Sequence, residues 1–369
     1  MSSIHRRVKI LGAGSIGNHL AHASRILGWD VTLCDVDPEA LARTRGQIYP
    51  GRYGKWDEAI RLVSAREAPR GDFDIICIGT PPDSHIALLK EVLAEKPALI
   101  LVEKPVCGPH LEEAAKTHGA VVESGVKVYV GYDHVLAPSM RKVEELIDAR
   151  AVGEPVTLDA EFREHWGGIF SAHPWLEGPW QTYLGYWRRG GGAGGEHSHA
   201  TNLWQHLAHR CGWGWVTEVS ALVEFDKIRD AEFDRIFALH VRTEKGACGR
   251  IIQDVVTRPT RKWVRLQCTD GAIEWRANQG ARGDVVALLH ADGRAEEFDF
   301  PKTRPDDFIC ELRHFDDLLE GRTAESPTSL TRGLDTMMVV AAGYESGLTR
   351  RPCAIDYGNG YKRSSLRSA

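Results

Sequence analysis

The sequence predicts an α/β protein: a doubly wound parallel sheet in its first third, then a second α/β domain built on an open, mainly antiparallel sheet. Three observations predict it. Up to Gly131, short apolar runs alternate with helix-length stretches, the pattern of parallel strands joined by crossover helices. Beyond it, strand-like runs follow one another without long helices between them, the pattern of antiparallel pairing. The length of 369 residues lets a chain bury roughly three-quarters of its unfolded surface and suffices for two domains. The boundary is placed at Gly131, giving domains 1–131 and 132–369.

Element by element, Val8-Lys9-Ile10-Leu11 is a strand that ends at Gly12, and a helix follows from about Asn18 to Leu27 with Gly28 as its stop. Val31 to Cys34 is the next strand. Asp37-Pro38 gives a helix cap followed by proline at the first helical position. Arg45 to Gly54 breaks the rhythm and reads as a short strand plus a loop. Phe73 to Ile78 is a buried strand, Thr80 to Ser84 a capped loop, and His85 to Ala94 a helix. Leu99 to Val102 and Val126 to Val130 complete the parallel set. After Gly131, Met140 to Arg150 reads as a helix. Strands follow at Thr157 to Phe162, Glu218 to Phe225, Phe237 to Thr243, Cys248 to Val255, Val264 to Cys268 and Ala287 to His290. Phe308 to Glu320 and Leu334 to Gly347 are late helices.

Composition narrows the function. Lys plus Arg number 46 against 51 Asp plus Glu, a net charge of −5, whereas a nucleic-acid binder needs a basic excess or a dense basic face. The most apolar runs stop well short of the ~20 residues of a spanning helix, and Met1 to Arg7 lacks the apolar stretch of a secretory leader. Eight cysteines without paired spacing, several inside apolar runs, read as reduced and buried. The expected setting is the cytoplasm, with no nucleic acid and no membrane.

Gly12-Ala13-Gly14-Ser15-Ile16-Gly17 is a G-x-G-x-x-G between a strand and a helix, and Asp35 lies 18 residues past Gly17 at the end of the next strand. Gly12 permits the tight turn, Gly14 lets the backbone approach a diphosphate, and Gly17 lets the helix pack closely. The helix start, with Ala13, Ser15 and Ile16 around it, offers N–H groups and partial positive charge. Asp35 would accept a ribose 2′-OH and repel a 2′-phosphate, and Val36 follows it in place of an arginine. NAD is therefore expected over NADP.

Glu103-Lys104-Pro105 stands at the carboxyl end of a parallel strand, the edge where ligands bind in open α/β sheets. With the glycine turn, Thr80-Pro81-Pro82, Gly131-Tyr132-Asp133-His134, Gly190-Gly191-Gly192 and the late Glu311 to Phe315 and Gly333 to Ser346 helices, the chain resembles the Gfo/Idh/MocA oxidoreductases over almost its whole length. The resemblance implies a Rossmann domain followed by an α/β domain whose open sheet forms the contact of a homodimer or homotetramer. It implies NAD(P)-dependent hydride transfer at a carbinol or ketone carbon of a sugar, sugar derivative, cyclitol or nucleotide sugar, without a metal. It places Thr80, Pro81, His85, Glu103 and Lys104 on the cofactor, and it makes Lys104 the catalytic lysine.

The catalytic histidine is less direct. Where the family carries histidine four residues after an acid, Ala200 stands here, and Glu196-His197-Ser198-His199 resembles a shorter variant. Glu196 is then the acid and His199 the base, with His197 left open as the alternative; on a helix, Glu196 and His199 share a face. Imidazole can take the hydroxyl proton near neutrality, and a lysine ammonium can donate to the developing oxyanion. Residues 165–187 are rich in aromatics. Trp175, Trp180 and Tyr183, with Arg163 and His134, are candidates for a sugar-stacking wall, and a core or a subunit interface explains the same rings equally well. His206 and His209 read as ordinary helix residues. Two other functions remain open: an NAD-retaining lyase or glycosidase that oxidises transiently, and a non-catalytic NAD sensor. Lys104-Pro105 is a candidate cis bond.

Overall fold

The computed structural model describes residues 5–171 and 173–368; residues 1–4 of the segment read above as leaderless lie outside it. In chain order the first elements are β1 (Arg7–Leu11), α1 (Ser15–Ile26), β2 (Asp30–Asp35), α2 (Pro38–Arg43), α3 (Tyr49–Tyr53), β3 (Ile60–Ser64), β4 (Ile75–Ile78), α4 (Pro82–Leu93), β5 (Leu99–Val102), α5 (Ala114–Ser124) and β6 (Lys127–Val130). All six strands are parallel, in the order β3-β2-β1-β4-β5-β6. β4 (Ile-Ile-Cys-Ile) and β5 (Leu-Ile-Leu-Val) are buried at every residue, as parallel strands covered on both faces must be. The order reverses between β1 and β4, so the turn after Leu11 and the loop after Ile78 stand side by side at the carboxyl edge, the ligand-binding position of such sheets.

The second set is α6 (Pro138–Asp148), β7 (Pro155–Arg163), α7 (Trp166–Ser171), α8 (Gly192–Glu196), α9 (His199–Arg210), β8 (Val216–Ile228), β9 (Ala231–Thr243), β10 (Cys248–Asp254), β11 (Arg261–Cys268), β12 (Gly271–Arg276), β13 (Asp284–His290) and β14 (Ala295–Phe300). The chain closes with α10 (Arg304–Leu319), α11 (Leu330–Thr349), β15 (Cys353–Ile355) and β16 (Leu366–Ser368). The ten-stranded sheet runs β14-β13-β12-β11-β7-β10-β9-β8-β15-β16. It is antiparallel except where β10 lies parallel to β7. Along β7, Leu158, Ala160 and Phe162 are buried and their neighbours are not, the period-two signature of a sheet with one packed face.

The chain divides into two compact units: residues 1–106, 116–133 and 304–330 form the first, and 107–115, 134–303 and 331–369 the second. A single cut at Gly131 therefore leaves α10 on the wrong side. Phe308, Ile309, Leu312, Phe315 and Leu318 of that helix are buried in the same core as Val8, Ile10, Leu33 and Leu101. Phe315 stacks on Tyr129 at 5.3 Å, and Arg6 pairs with Asp316 at 2.9 Å. The Arg45 to Gly54 segment also departs from its reading. It is helical, a π turn over Thr44–Ile48 running into α3. Tyr49 and Tyr53 lay their rings against His22 on α1, at 5.7 and 3.5 Å. That tertiary packing overrides the weak helix propensity of a stretch containing Gly46, Pro50 and Gly51.

Candidate functional site

In the first unit the glycine turn is built as its spacing demands. Gly12 has φ +104°, and a Cβ there would lie 2.7 Å from Gly79 O. Its N–H donates to Cys34 O at 2.8 Å, and Gly79 N–H donates to Leu11 O at 2.8 Å, so the turn is stitched to both neighbouring strands. A Cβ on Gly17 would fall 1.8 Å from Gly12 O; only glycine lets α1 settle onto the turn. Gly14 is different: a Cβ there meets nothing within 4 Å. The space over Gly14 at the start of α1 is a cradle that a side chain would fill, and it fits a diphosphate held by backbone N–H groups.

Asp35 closes the turn from the end of β2. Its Oδ2 accepts the Ala13 N–H at 2.7 Å and its Oδ1 the Asp37 N–H at 2.9 Å, which fixes the carboxylate beside the glycine turn. Beside it, Val36 is 83% exposed. Three residues that sequence reading missed brace the same turn. Asn18 Nδ2 donates to Gly14 O at 2.8 Å and Thr44 Oγ1 to Ala13 O at 2.7 Å. The Arg52 guanidinium donates to Ser15 O at 2.9 Å and Ser15 Oγ at 2.8 Å. Asn18 and Thr44 carry no motif, and Arg52 lies in the segment taken for strand and loop.

At the same edge, Thr80 Oγ1 and Ser84 Oγ are 2.6 Å apart, and Ser84 Oγ donates to Pro81 O at 2.7 Å. His85, expected on the cofactor, is instead fully buried beneath this loop. Its Nε2 lies 2.7 Å from Thr80 O and its Nδ1 3.0 Å from Pro105 O, so the ring is wedged between the loops after β4 and β5, its single N–H in the neutral form donating to one of the two carbonyls. Burial drives its pKa down to about 4 against the two carbonyls, which favour the proton. Lys104 is half-buried, and its bond to Pro105 is cis. Glu103 turns inward at 6% exposure, its Oε2 accepting the Lys104 N–H at 3.3 Å; the missing side chain of Gly131 makes room for its carboxyl group. Burial, and then the charge of Asp133, push Glu103 up to about 8. Glu311 on α10, 1% exposed and, among the described residues, without a hydrogen-bond partner for either oxygen, is held well above the usual carboxylate range by burial and by the charge of Glu103.

In the second unit, the glycine run forms α8, which ends at Glu196. His197 and Ser198 make a turn, and His199 opens α9. The single helix on which Glu196 and His199 were expected to share a face is thus two helices. The two histidines differ in access: His197 is 3% exposed and His199 is half-buried. The His199 ring meets that of His134 edge-on at 4.7 Å, with Phe162 behind both. Arg163 is spent on Asp254, its Nε 2.6 Å from Oδ2. The aromatic segment splits. Trp187 is core, stacked on Tyr344 at 4.7 Å, and Trp166 packs edge-on against Phe233. Trp175, Trp180 and Tyr183 keep partly exposed faces, Trp180 lying beneath the Arg229 guanidinium at 4.0 Å. His206 reaches Glu144 at 2.6 Å, and His209 pairs with Arg332.

Residues 6–132 match an oxidoreductase family with an NAD-binding Rossmann fold, and residues 140–274 match the GFO/IDH/MocA C-terminal domain. A scyllo-inositol 2-dehydrogenase (NAD(+)) of Bacillus subtilis (strain 168) is 31% identical over 182 residues, 44% of this chain and 49% of that protein. The chain spans less than half the length of the curated relatives it matches. Among solved structures, an oxidoreductase from Agrobacterium radiobacter in complex with NAD+, L-tartaric acid and magnesium aligns with TM-score 0.74 at 20% identity, over 95% of this chain and 98% of that one. The WlbA dehydrogenase from Bordetella pertussis, in complex with NADH and UDP-GlcNAcA, aligns with TM-score 0.70 at 19% identity, over 95% and 99%. At those identities the likeness speaks for the fold. Among the described residues, no helix is long and apolar enough to cross a membrane.

Proposed function

The chain belongs to the Gfo/Idh/MocA family of NAD-binding oxidoreductases, and from that premise we propose that it transfers hydride between NAD and a carbinol or ketone carbon of a sugar, sugar derivative, cyclitol or nucleotide sugar. One observation carries the reading: the open cradle at Gly14, the Thr80-Pro81 loop and the Glu103-Lys104-Pro105 end all lie at the carboxyl edge of one parallel sheet. The scyllo-inositol dehydrogenase relative and the UDP-sugar complex support the substrate class.

The bound nicotinamide supplies the hydride acceptor or donor. The chain's own part is to hold the substrate oxygen and move its proton. Gly12 to Ile16 bind the diphosphate and Asp35 the ribose, which favours NAD over NADP. Lys104 donates a hydrogen bond to the oxygen that becomes a carbonyl, stabilising the negative charge that develops there. His199 takes the hydroxyl proton; its greater access, half-buried against 3% exposure for His197, supports it as the base. Glu196 orients the base or binds a neighbouring hydroxyl, and His134 lies against His199 as its packing partner. The partly exposed Trp175 and Tyr183 suit the apolar face of a ring, and Trp180, under the Arg229 guanidinium, borders them as a third candidate. His85 serves by shaping the loop between Thr80 and Pro105. We place the protein in a reducing cytoplasm, in keeping with its eight free cysteines. Association through the second sheet, whose Val156 and Leu222 are more than half exposed, makes a dimer or tetramer.

The test is turnover with scyllo-inositol, myo-inositol, glucose and UDP-GlcNAcA. Reduced nicotinamide should accumulate with at least one, and His199→Ala should lower kcat by roughly 10²–10⁴ while NADH still binds. A fully active His199→Ala together with an inactive His197→Ala would move the base to His197. Product formed without net reduced nicotinamide would replace this reading with the NAD-retaining elimination.

A further inference from the structure

Helix α8 is the sequence Gly-Ala-Gly-Gly-Glu. Glycine costs about 1 kcal/mol per residue in a helix relative to alanine, and these residues carry almost no side chain to pack. What holds the segment lies on the two strands beneath it. Asp234 on β9 is fully buried. Its Oδ2 accepts the Gly194 N–H at 2.7 Å, it also accepts the Ala193 N–H, and its Oδ1 accepts the Tyr344 hydroxyl at 2.7 Å. Gln253 on β10 is also fully buried. Its Nε2 donates to Ala193 O at 2.8 Å and to Gly194 O at 3.1 Å, and its Oε1 accepts the Thr201 hydroxyl at 2.7 Å.

One buried carboxylate and one buried amide thus hold both the donors and the acceptors of the same residues, and Gln253 couples them to the first turn of the helix that His199 opens. The fit is close. A Cβ on Gly192 would fall 1.8 Å from Asp234 Oδ1, and one on Gly194 would fall 2.7 Å from the Tyr344 oxygen.

We propose that Asp234 is a positioning residue: as a carboxylate it fixes the Gly192–Glu196 helix, and through that helix the placement of Glu196 and His199 used in the reaction. The inference rests on the catalytic reading of His199 given above.

Burial pushes the Asp234 carboxyl up to about 7, against the lowering effect of the Tyr344, Gly194 and Ala193 hydrogen bonds. Around it, α8 presents glycines and backbone amides, β8 places Phe225 opposite it in register, and Gln253 on neighbouring β10 is neutral. Among the described residues, Tyr344 on α11 is the ionisable side chain recorded against it, and burial and Asp234 itself keep that phenol protonated. While Asp234 stays buried, its protonation near neutrality removes the anion that the two amides bind, so against local lifting of α8 the segment is held most firmly on the basic side. The stability sign is opposite. A carboxyl group whose folded pKa is raised stabilises most below the unfolded value of 3.8, and that contribution is lost as pH rises through about 7.

Two variants test this. Asp234→Asn keeps the shape and an acceptor for Gly194 but carries no charge. Tyr344→Phe removes one hydrogen bond that lowers the Asp234 pKa. Amide hydrogen exchange of the 190–199 segment, corrected for the intrinsic rate, should show protection that rises through pH 7 in the wild type. In Tyr344→Phe the midpoint should move up by about one pH unit, and in Asp234→Asn it should be absent. Asp234→Asn should melt no lower than wild type at pH 8 and bind NADH unchanged, yet lose ~10–100-fold in kcat. A wild-type midpoint in Asp234→Asn, or protection indifferent to pH in the wild type, overturns the proposal, and Tyr344→Phe decides it if the asparagine variant does not fold. A fully active His199→Ala would refute the catalytic reading while leaving the exchange result to stand or fall by itself.

Discussion

Alanine at Gly14 should damage cofactor binding and leave the fold alone, whereas alanine at Gly17, three residues on, should damage the fold. Gly14 sits at φ −80° and ψ −162°, backbone that any residue adopts, and a Cβ there meets nothing within 4 Å. With no clash to relieve, Gly14→Ala should be neutral or should stabilise by about 0.4–1 kcal/mol through the unfolded chain. At Gly17 the added Cβ would stand 1.8 Å from a backbone oxygen, Gly12 O. Backbone cannot yield as a flexible side chain can, so the cost should reach or exceed the ~1–3 kcal/mol of ordinary overpacking. The Gly14 methyl occupies the space over the turn where a diphosphate would rest. Displacing one hydrogen bond to a charged group forfeits about 1.5–3 kcal/mol, and at about 1.4 kcal/mol per decade that is a roughly 10- to 100-fold weaker NADH complex. Thermal unfolding of the ligand-free protein and NADH fluorescence titration measure the two effects separately. NADH binding by Gly14→Ala within twofold of wild type would refute the cradle, and a clear loss of melting temperature in Gly14→Ala would refute the claim that the space is open.

Asp35→Asn keeps an oxygen for one of the two backbone N–H groups it holds, those of Ala13 and Asp37, but removes the charge that would repel a 2′-phosphate. The ratio of NADH to NADPH affinity, measured by titration of each, should fall at least about tenfold, the worth of one charge-assisted bond; an unchanged ratio would show that Asp35 does not read the ribose. His85, lowered from 6.5 to about 4 by burial, should make stability fall as pH drops from 6.5 towards 4, because only the unfolded state takes up the proton in that window. The interval of 6.5 − 4 = 2.5 units corresponds to about 3 kcal/mol. Urea unfolding at pH 7 and pH 5 should show His85→Gln losing part of that slope, and an identical slope in the variant would show that His85 is not the group responsible.

The features legible in the sequence are those whose physics is local. A strand, a glycine turn and a helix start within a dozen residues of one another have to be built from adjacent positions, so Gly12 to Gly17 could be read with the role of each glycine, and β4 and β5 announced themselves by being apolar throughout. What escaped depends on distant contacts. The α10 helix shows an apolar face in Phe308, Leu312 and Phe315, but the sequence does not say which core that face enters; it is the core of the first unit, some 200 to 300 residues back along the chain. Tyr49 and Tyr53 became helical because His22 offers their rings a partner. In the sequence, the period of a single helix favours His199 over His197. The chain breaks that helix, and burial separates the two residues instead. Asp234 and Gln253 sit in strands whose pattern marks them only as positions on a sheet, and their importance appears once α8 is laid over them. The acids follow the same rule. Glu103 was visible as part of a motif, whereas its buried neighbour Glu311 reads in sequence as one more charge on an amphipathic helix. A carboxyl group so enclosed and, among the described residues, without a hydrogen-bond partner has to keep its proton, and that is fixed by how the chain closes around it.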